Sequence, residues 1–173
     1  YRALRDTVKD DTRTKAIVEI LLQTGVRISE LAAMKMAHVH LLENDAQSYL
    51  EIPGTRSTPG RTIPLNKAVK EAIENFLKER PNSKIDNVFV TKTGNPLLVR
   101  NIRATLGRYF KQVGLENVTV NDLRHTFVAE HLRRGASVLL VSKVAGHKRL
   151  TTTENYLKYI ERKESGIGEL EEL

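Results

Sequence analysis

The eight residues "PGTRSTPG", Pro53 to Gly60, place two Pro-Gly pairs close together. Proline lacks a backbone N–H and glycine tolerates left-handed dihedrals, so neither a helix nor a strand runs through such a stretch. Ser48 to Ile52 and Arg61 to Leu65 flank it as short strand candidates. Together they predict a β-hairpin with a basic tip.

Most of the remaining chain has helical periodicity. Asp11 to Thr24 carries Ile17, Ile20 and Leu21 on one face and stops at Gly25, and Ser29 to Met36 forms a second short helix. Asn66 caps a strongly periodic helix with Val69, Ala72, Ile73, Phe76 and Leu77 aligned. "NVFVT", Asn87 to Thr91, reads as another strand, followed by a loop over Thr93 to Pro96. Further helices are expected over Val99 to Val113, Asn121 to Arg134, Val138 to Ala145 and Thr152 to about Lys163. The fold class is mostly α with a small antiparallel β-sheet. No Pro/Ser linker divides the chain, so residues 1–173 read as a single domain. Because it begins at Tyr1 without methionine, the chain is expected to be the C-terminal part of a longer protein.

Composition narrows the partners. A net charge of +7 and a pI near 9.7 favour a polyanion. The acidic ending "GELEEL" makes the body more basic still. Only 5% of residues are aromatic and none is tryptophan, which argues against a base-stacking single-strand binder. With no cysteine there are no disulfides, thiol nucleophiles or cysteine metal sites, which is compatible with a cytoplasmic protein. No apolar run approaches the about 20 residues of a membrane span. The five histidines are scattered without HExxH-type spacing, and neither a GxSxG elbow nor a P-loop is present. No metal or cofactor is therefore expected.

A few polar residues sit oddly for a pure core. Arg27 lies at a tight helix junction three residues before Glu30, and Arg124 lies inside the otherwise amphipathic "VNDLRHTFVAEHL". His147 follows a helix end at Gly146, and Tyr156 shares a helix face with Tyr159 and Ile160. Each has an ordinary structural explanation: an ion pair with Glu30, a solvated arginine, a helix-ending cation, an aromatic packing stripe. Jointly, two arginines, a histidine and a late tyrosine in a basic domain match the needs of phosphoryl transfer without a metal. Guanidinium groups grip non-bridging oxygens in bidentate fashion, and a tyrosine hydroxyl can attack phosphorus and hold it covalently.

Four blocks, "TGVRISELAAMK", "IPGTRSTPGRTIPL", "VNDLRHTFVAEHLRRG" and "VAGHKRLTTTENYLKY", resemble the catalytic domain of the tyrosine recombinases in order and spacing. That family comprises phage and transposon integrases and Xer-type resolvases. The resemblance spans nearly the whole chain. It implies that Tyr156 is the nucleophile, that Arg27 and Arg124 clamp the scissile phosphate, and that His147 hydrogen-bonds it. Glu30 would steady the arginines, and the threonine run would cap the last helix or touch the DNA backbone. The reaction implied is cleavage to a 3′-phosphotyrosyl link and a free 5′-hydroxyl, then attack by the 5′-hydroxyl of a partner duplex, without cofactor. The implied partners are double-stranded DNA with paired inverted repeats, three further copies in a homotetramer, an N-terminal DNA-clamp domain and accessory DNA-bending proteins. The segment from Leu157 to Leu173 resembles the tail that family members dock on a neighbouring subunit.

Two positions depart from the family pattern. The first residue of the "HxxRH" box is Asn121, which can donate a hydrogen bond but cannot take a proton at neutral pH. The hairpin tip usually carries a lysine that protonates the departing 5′-oxygen. Here Arg56 occupies the nearest place, and arginine is a poor acid. Lys92, in the neighbouring "VTKTGN" loop, is a possible substitute. These departures keep a second reading open, a DNA-binding module of the same fold that no longer cuts. A type IB topoisomerase would share the chemistry but not the integrase-like blocks.

Overall fold

Asp11 nucleates the central helix of the fold: its carboxylate accepts from the Thr14 N–H at 2.9 Å and the Thr14 hydroxyl at 2.6 Å. The helix, α2 (Thr12–Thr24), follows a short α1 (Arg2–Thr7) and ends at Gly25, whose φ of 63° is left-handed. The computed structural model describes residues 1–43, 48–56 and 58–165, with the backbone alone for 161–165. Ala16, Ile17, Val18, Ile20, Leu21 and Leu22 are all buried, so α2 is apolar on nearly every side. A helix of that kind belongs inside a fold, and α2 packs against both α4 (Lys67–Glu79) and α6 (Val120–Arg133). Its one buried charge, Glu19, is gripped by Arg5 of α1 at 2.6 and 2.9 Å and by Gln23 at 2.6 Å. The sequence pattern gave no sign of α1, which buries Leu4 as its only core residue.

The second expected helix is shorter than its predicted span. α3 covers Ile28–Ala33, because Met34 turns extended and a 3₁₀ turn, Met36–His38, leads into β1 (Val39–His40). β1 pairs with β2 (Tyr49–Ile52), which pairs with β3 (Arg61–Pro64), giving a three-stranded antiparallel sheet in the order β1-β2-β3. The predicted hairpin is therefore present, with Leu50 opposite Ile63 and Ile52 opposite Arg61. "NVFVT" is not a strand. Val88, Phe89 and Val90 are fully buried, but their backbone partners are scattered. The Val88 N–H bonds the Met34 carbonyl at 2.9 Å, and the Arg80 guanidinium takes the Asn87 and Val88 carbonyls. Among the described residues this segment makes only the isolated bridges Asn87 to Lys35 and Val90 to Pro96, not a continuous ladder.

Asn66 caps α4 through the Val69 N–H at 3.1 Å. The later helices are α5 (Val99–Gln112), α6, α7 (Val138–Ala145), capped by Ser137, and α8 (Leu150–Ser165). The last begins two residues before its expected start; the acidic ending over residues 166–173 lies outside the described residues. Among the described residues, no helix is long and apolar enough to cross a membrane.

Two packed clusters result, and α6 contributes to both. Val120 and Leu123 join the main core around α2. Phe127, Val128 and Leu132 pack with Val141 and Ala145 of α7, covered by Tyr156, Leu157 and Ile160 of α8. Each fully buried large aliphatic or aromatic side chain contributes about 1.5–3 kcal/mol. Arg124 and His125 lie on α6 where the two clusters meet.

Candidate active site

Glu30 is the hub of the site. Its two carboxylate oxygens accept from the two Arg61 Nη atoms at 2.8 Å each, from the Arg27 N–H at 2.8 Å and from Arg27 Nη1 at 3.2 Å. Burial alone would raise this carboxyl, but the Arg61 hydrogen bonds, the Arg27 N–H and both guanidinium charges hold it below the usual range. The Arg61 side chain is 3% exposed, and its Nε donates to the Val144 carbonyl at 2.7 Å. Thus β3, α3 and the end of α7 are joined through one ion pair.

Two helix-ending glycines hold the other arginines. Arg124 Nη1 donates to the Gly25 carbonyl at the end of α2, and Arg27 Nη2 donates to the Gly146 carbonyl at the end of α7, at 2.6 Å. Both glycines have positive φ, 63° and 69°. A Cβ on Gly25 would lie 2.3 Å from the Phe127 ring, and one on Gly146 would lie 2.8 Å from the Arg61 guanidinium. Only glycine combines the left-handed turn with that approach. Burial, then the Arg27 charge, lowers Arg124 to about 10, which leaves it protonated at neutral pH.

His147 follows Gly146 directly. Its Nδ1 lies 2.7 Å from the hydroxyl of Thr153, which is fully buried. That hydroxyl has no other hydrogen-bond partner among the described residues, so it donates to Nδ1 and leaves the proton on Nε2. Burial first, then the charges of Arg124, Arg27, His125 and Arg61, lowers His147 to about 4. It is a neutral imidazole at pH 7, with an N–H to offer.

One turn along α8 from Thr153, the Tyr156 ring lies nearly parallel to that of His147, with centroids 6.2 Å apart and planes at 11°. The ring packs on the second cluster, as the packing interpretation expects, while the hydroxyl hydrogen-bonds Nδ1 of His125. Burial raises the Tyr156 hydroxyl, and the Arg124 charge opposes that shift. Tyr159, by contrast, is 56% exposed.

The structure thus gathers Arg27, Glu30, Arg124, His147 and Tyr156. Asn121 is exposed, one turn before Arg124, and lines a cleft of about 330 Å³ with Arg27, Arg124 and His125. Arg56 is exposed at the hairpin tip, and among the described residues no hydrogen bond or ion pair ties it to the others. Lys92 lines a separate cleft with Asp11, Arg13, Arg108 and Tyr109. Among the described residues, no cluster of three or more His, Cys, Asp or Glu could hold a metal ion.

Sequence reasoning passed over three contributors. Arg61 lay inside the quoted hairpin, and its signal was strand alternation: Arg61 and Ile63 share the buried face of β3. Thr153 was only part of a hydroxyl run expected to cap a helix or touch DNA; it fixes His147 instead. His125 closes the "HxxRH" box, but the box alone assigned it no role, because its partner Tyr156 is 31 residues away.

The helical fold with its small antiparallel sheet sets a tyrosine hydroxyl, a neutral imidazole and two anchored guanidinium groups in one region of the chain. Residues 1–162 match the Phage integrase family, and the chain belongs to that family. It is 34% identical over 155 residues to the tyrosine recombinase XerA of Pyrococcus horikoshii, covering 88% of this chain and 52% of that protein. The chain spans about half the length of the curated relatives it matches. The crystal structure of XerA recombinase superposes with a TM-score of 0.81 at 25% identity, covering 94% of this chain and 62% of that one. The XerH site-specific recombinase, captured in a post-cleavage complex with a palindromic difH substrate, shares the fold, with a TM-score of 0.83 at 21% identity over 99% of this chain and 51% of that one.

The hub makes a stability prediction. Arg61→Ala strands a largely buried carboxylate and is expected to cost about 3 kcal/mol, the low end for a broken buried pair because Arg27 remains. Urea unfolding measures it. Since the Glu30 carboxyl is depressed below its ordinary 4.5, its contribution is complete above that value and is lost as pH falls through the lowered one. The acid limb of the stability curve below about pH 4.5 should therefore be shallower in Glu30→Gln than in the wild type; identical limbs would remove Glu30 from the acid transition.

Proposed function

We propose that the chain is the catalytic part of a site-specific DNA recombinase in which Tyr156 attacks a scissile phosphate and forms a 3′-phosphotyrosyl intermediate. The observation that carries this reading is that the Tyr156 hydroxyl, the neutral His147 and Arg27 all lie within electrostatic reach of the anchored Arg124. Arg27 and Arg124 bind the non-bridging oxygens and offset the charge that grows on them in the transition state. His147 donates its Nε2–H to the same phosphate. Asn121 supplies a further donor from the rim of the cleft, and Glu30 acts indirectly by holding Arg27. The phosphotyrosyl bond conserves the energy of the broken linkage, so attack by a partner duplex's 5′-hydroxyl rejoins the strands without a cofactor.

The working assembly is a homotetramer on two duplexes with paired inverted repeats, completed by an N-terminal DNA-clamp domain and aided by accessory DNA-bending proteins. It operates in the cytoplasm, on the nucleoid. The palindromic substrate of the XerH complex supports the inverted-repeat reading. The basic charge supports association with duplex DNA.

A nicked suicide duplex tests the proposal, because loss of the short 5′ fragment traps the covalent complex. Covalent adducts are the expected result. Tight binding without adducts would leave the second reading, a non-cutting module of the same fold, which the isolated position of Arg56 favours.

The missing lysine makes its own prediction. A substrate with sulfur at the bridging 5′ position leaves without a proton, so it should be cleaved much faster than ordinary DNA if Arg56 is a weak acid. Arg56→Lys should then accelerate ordinary DNA and shrink the sulfur advantage. No sulfur advantage, with no change in Arg56→Lys, would mean that proton donation at the hairpin tip does not limit cleavage.

A further inference from the structure

We propose that His125 is the proton acceptor for Tyr156, standing in for the base that Asn121 cannot be. The proposal rests on Tyr156 being the nucleophile. Nδ1 of His125 is the hydrogen-bond partner of the Tyr156 hydroxyl, with ring centroids 5.7 Å apart. His125 also lines both openings: the cleft shared with Arg27, Asn121 and Arg124, and a groove of about 720 Å³ shared with Tyr156. It therefore stands between the place where a phosphate would be clamped and the oxygen that would attack it.

Elimination among the neighbours reaches the same residue. Arg27 and Arg124 are cations with no lone pair to offer. Nδ1 of His147 is occupied by the Thr153 hydroxyl, and its other nitrogen carries a hydrogen. Asn121 is an amide. Asp122, also in the groove, accepts the N–H and hydroxyl of Thr119 on Oδ2 at 2.8 and 2.5 Å, and among the described residues neither of its oxygens hydrogen-bonds the Tyr156 hydroxyl. Among the described residues around the Tyr156 hydroxyl, only His125 presents a basic nitrogen to it.

The step balances simply. The O–H proton of Tyr156 passes to Nδ1 of His125, making an imidazolium, while the phenolic oxygen's electron pair forms the bond to phosphorus. The P–O5′ pair leaves with the 5′-oxygen, which takes a proton from solvent. On rejoining, the imidazolium returns its proton to the departing tyrosine oxygen, as microscopic reversibility requires.

The test uses the nicked suicide duplex and follows the rate of adduct formation. His125→Ala should slow it by about 10²- to 10⁴-fold, the range for a lost general base, with DNA affinity unchanged. Added imidazole should restore the rate in proportion to its concentration, since the truncation opens onto the groove. His125→Asn keeps an oxygen acceptor near the Nδ1 position but cannot take a proton, so it should stay slow. A wild-type rate in His125→Ala overturns the proposal. So does full activity in His125→Asn, or a slow His125→Ala that imidazole does not accelerate, because either reduces the residue to a positioning role. Failure of the recombinase reading looks different: the wild-type chain would then give no adducts at all.

Discussion

Tyr156→Phe is expected to reduce covalent protein–DNA adducts to below detection while leaving DNA binding nearly unchanged. The substitution removes one oxygen and keeps the ring that, beside Leu157 and Ile160, packs on the α6–α7 cluster. The fold should therefore survive, and the loss would report chemistry alone. Tyr159→Phe is the control, because Tyr159 shares the helix but is mostly exposed. Adducts that persist in Tyr156→Phe and vanish in Tyr159→Phe would transfer the nucleophile to the second tyrosine. Trapping the adduct on a nicked duplex and resolving it by denaturing electrophoresis distinguishes the two.

Removing either clamp arginine has the next largest expected effect. Arg27→Ala and Arg124→Ala should each slow cleavage by about a hundredfold or more, the usual result of deleting a preorganised transition-state donor. Binding should weaken far less, with the salt slope falling by about one counterion per phosphate contact. The two variants should differ in stability. Arg27 also donates to Glu30, whereas among the described residues Arg124 reaches only the Gly25 carbonyl by direct hydrogen bond. Single-turnover rates at saturating DNA, read beside thermal unfolding, separate the two contributions. A wild-type cleavage rate in either variant would exclude that arginine from the site.

What could be read from the sequence follows from the range of the interactions. Helix periodicity and its glycine stops are local, so α2, α4, α5 and α7 fall where the pattern puts them. The "NVFVT" segment misled because burial and β-branched residues are local too, whereas a ladder needs a partner that composition does not reveal. In the site, order and spacing along the chain were enough to single out Arg27, Arg124, His147 and Tyr156. Of the groups that orient them, Glu30 was legible three residues from Arg27, whereas Arg61 and the Gly146 carbonyl were not, because they act across long separations. Arg61 reaches Glu30 from 31 positions away, and Arg27 meets the Gly146 carbonyl from 119 away. Arg56 shows the converse: a residue singled out by its place in a motif lies apart from the partners that motif implies.

The glycine-ended helices divide the clamp between two bodies. Arg124 leans on the end of α2, in the main core, while Arg27 and Arg61 reach across to carbonyls at the end of α7, which packs in the smaller cluster. A rigid shift of α7 and α8 by little more than a hydrogen-bond length would release Arg27 and Arg61 and carry His147 and Tyr156 away together, with the α2 core left intact. The geometry of the site therefore depends on the seating of α7 and α8 as much as on the α2 core.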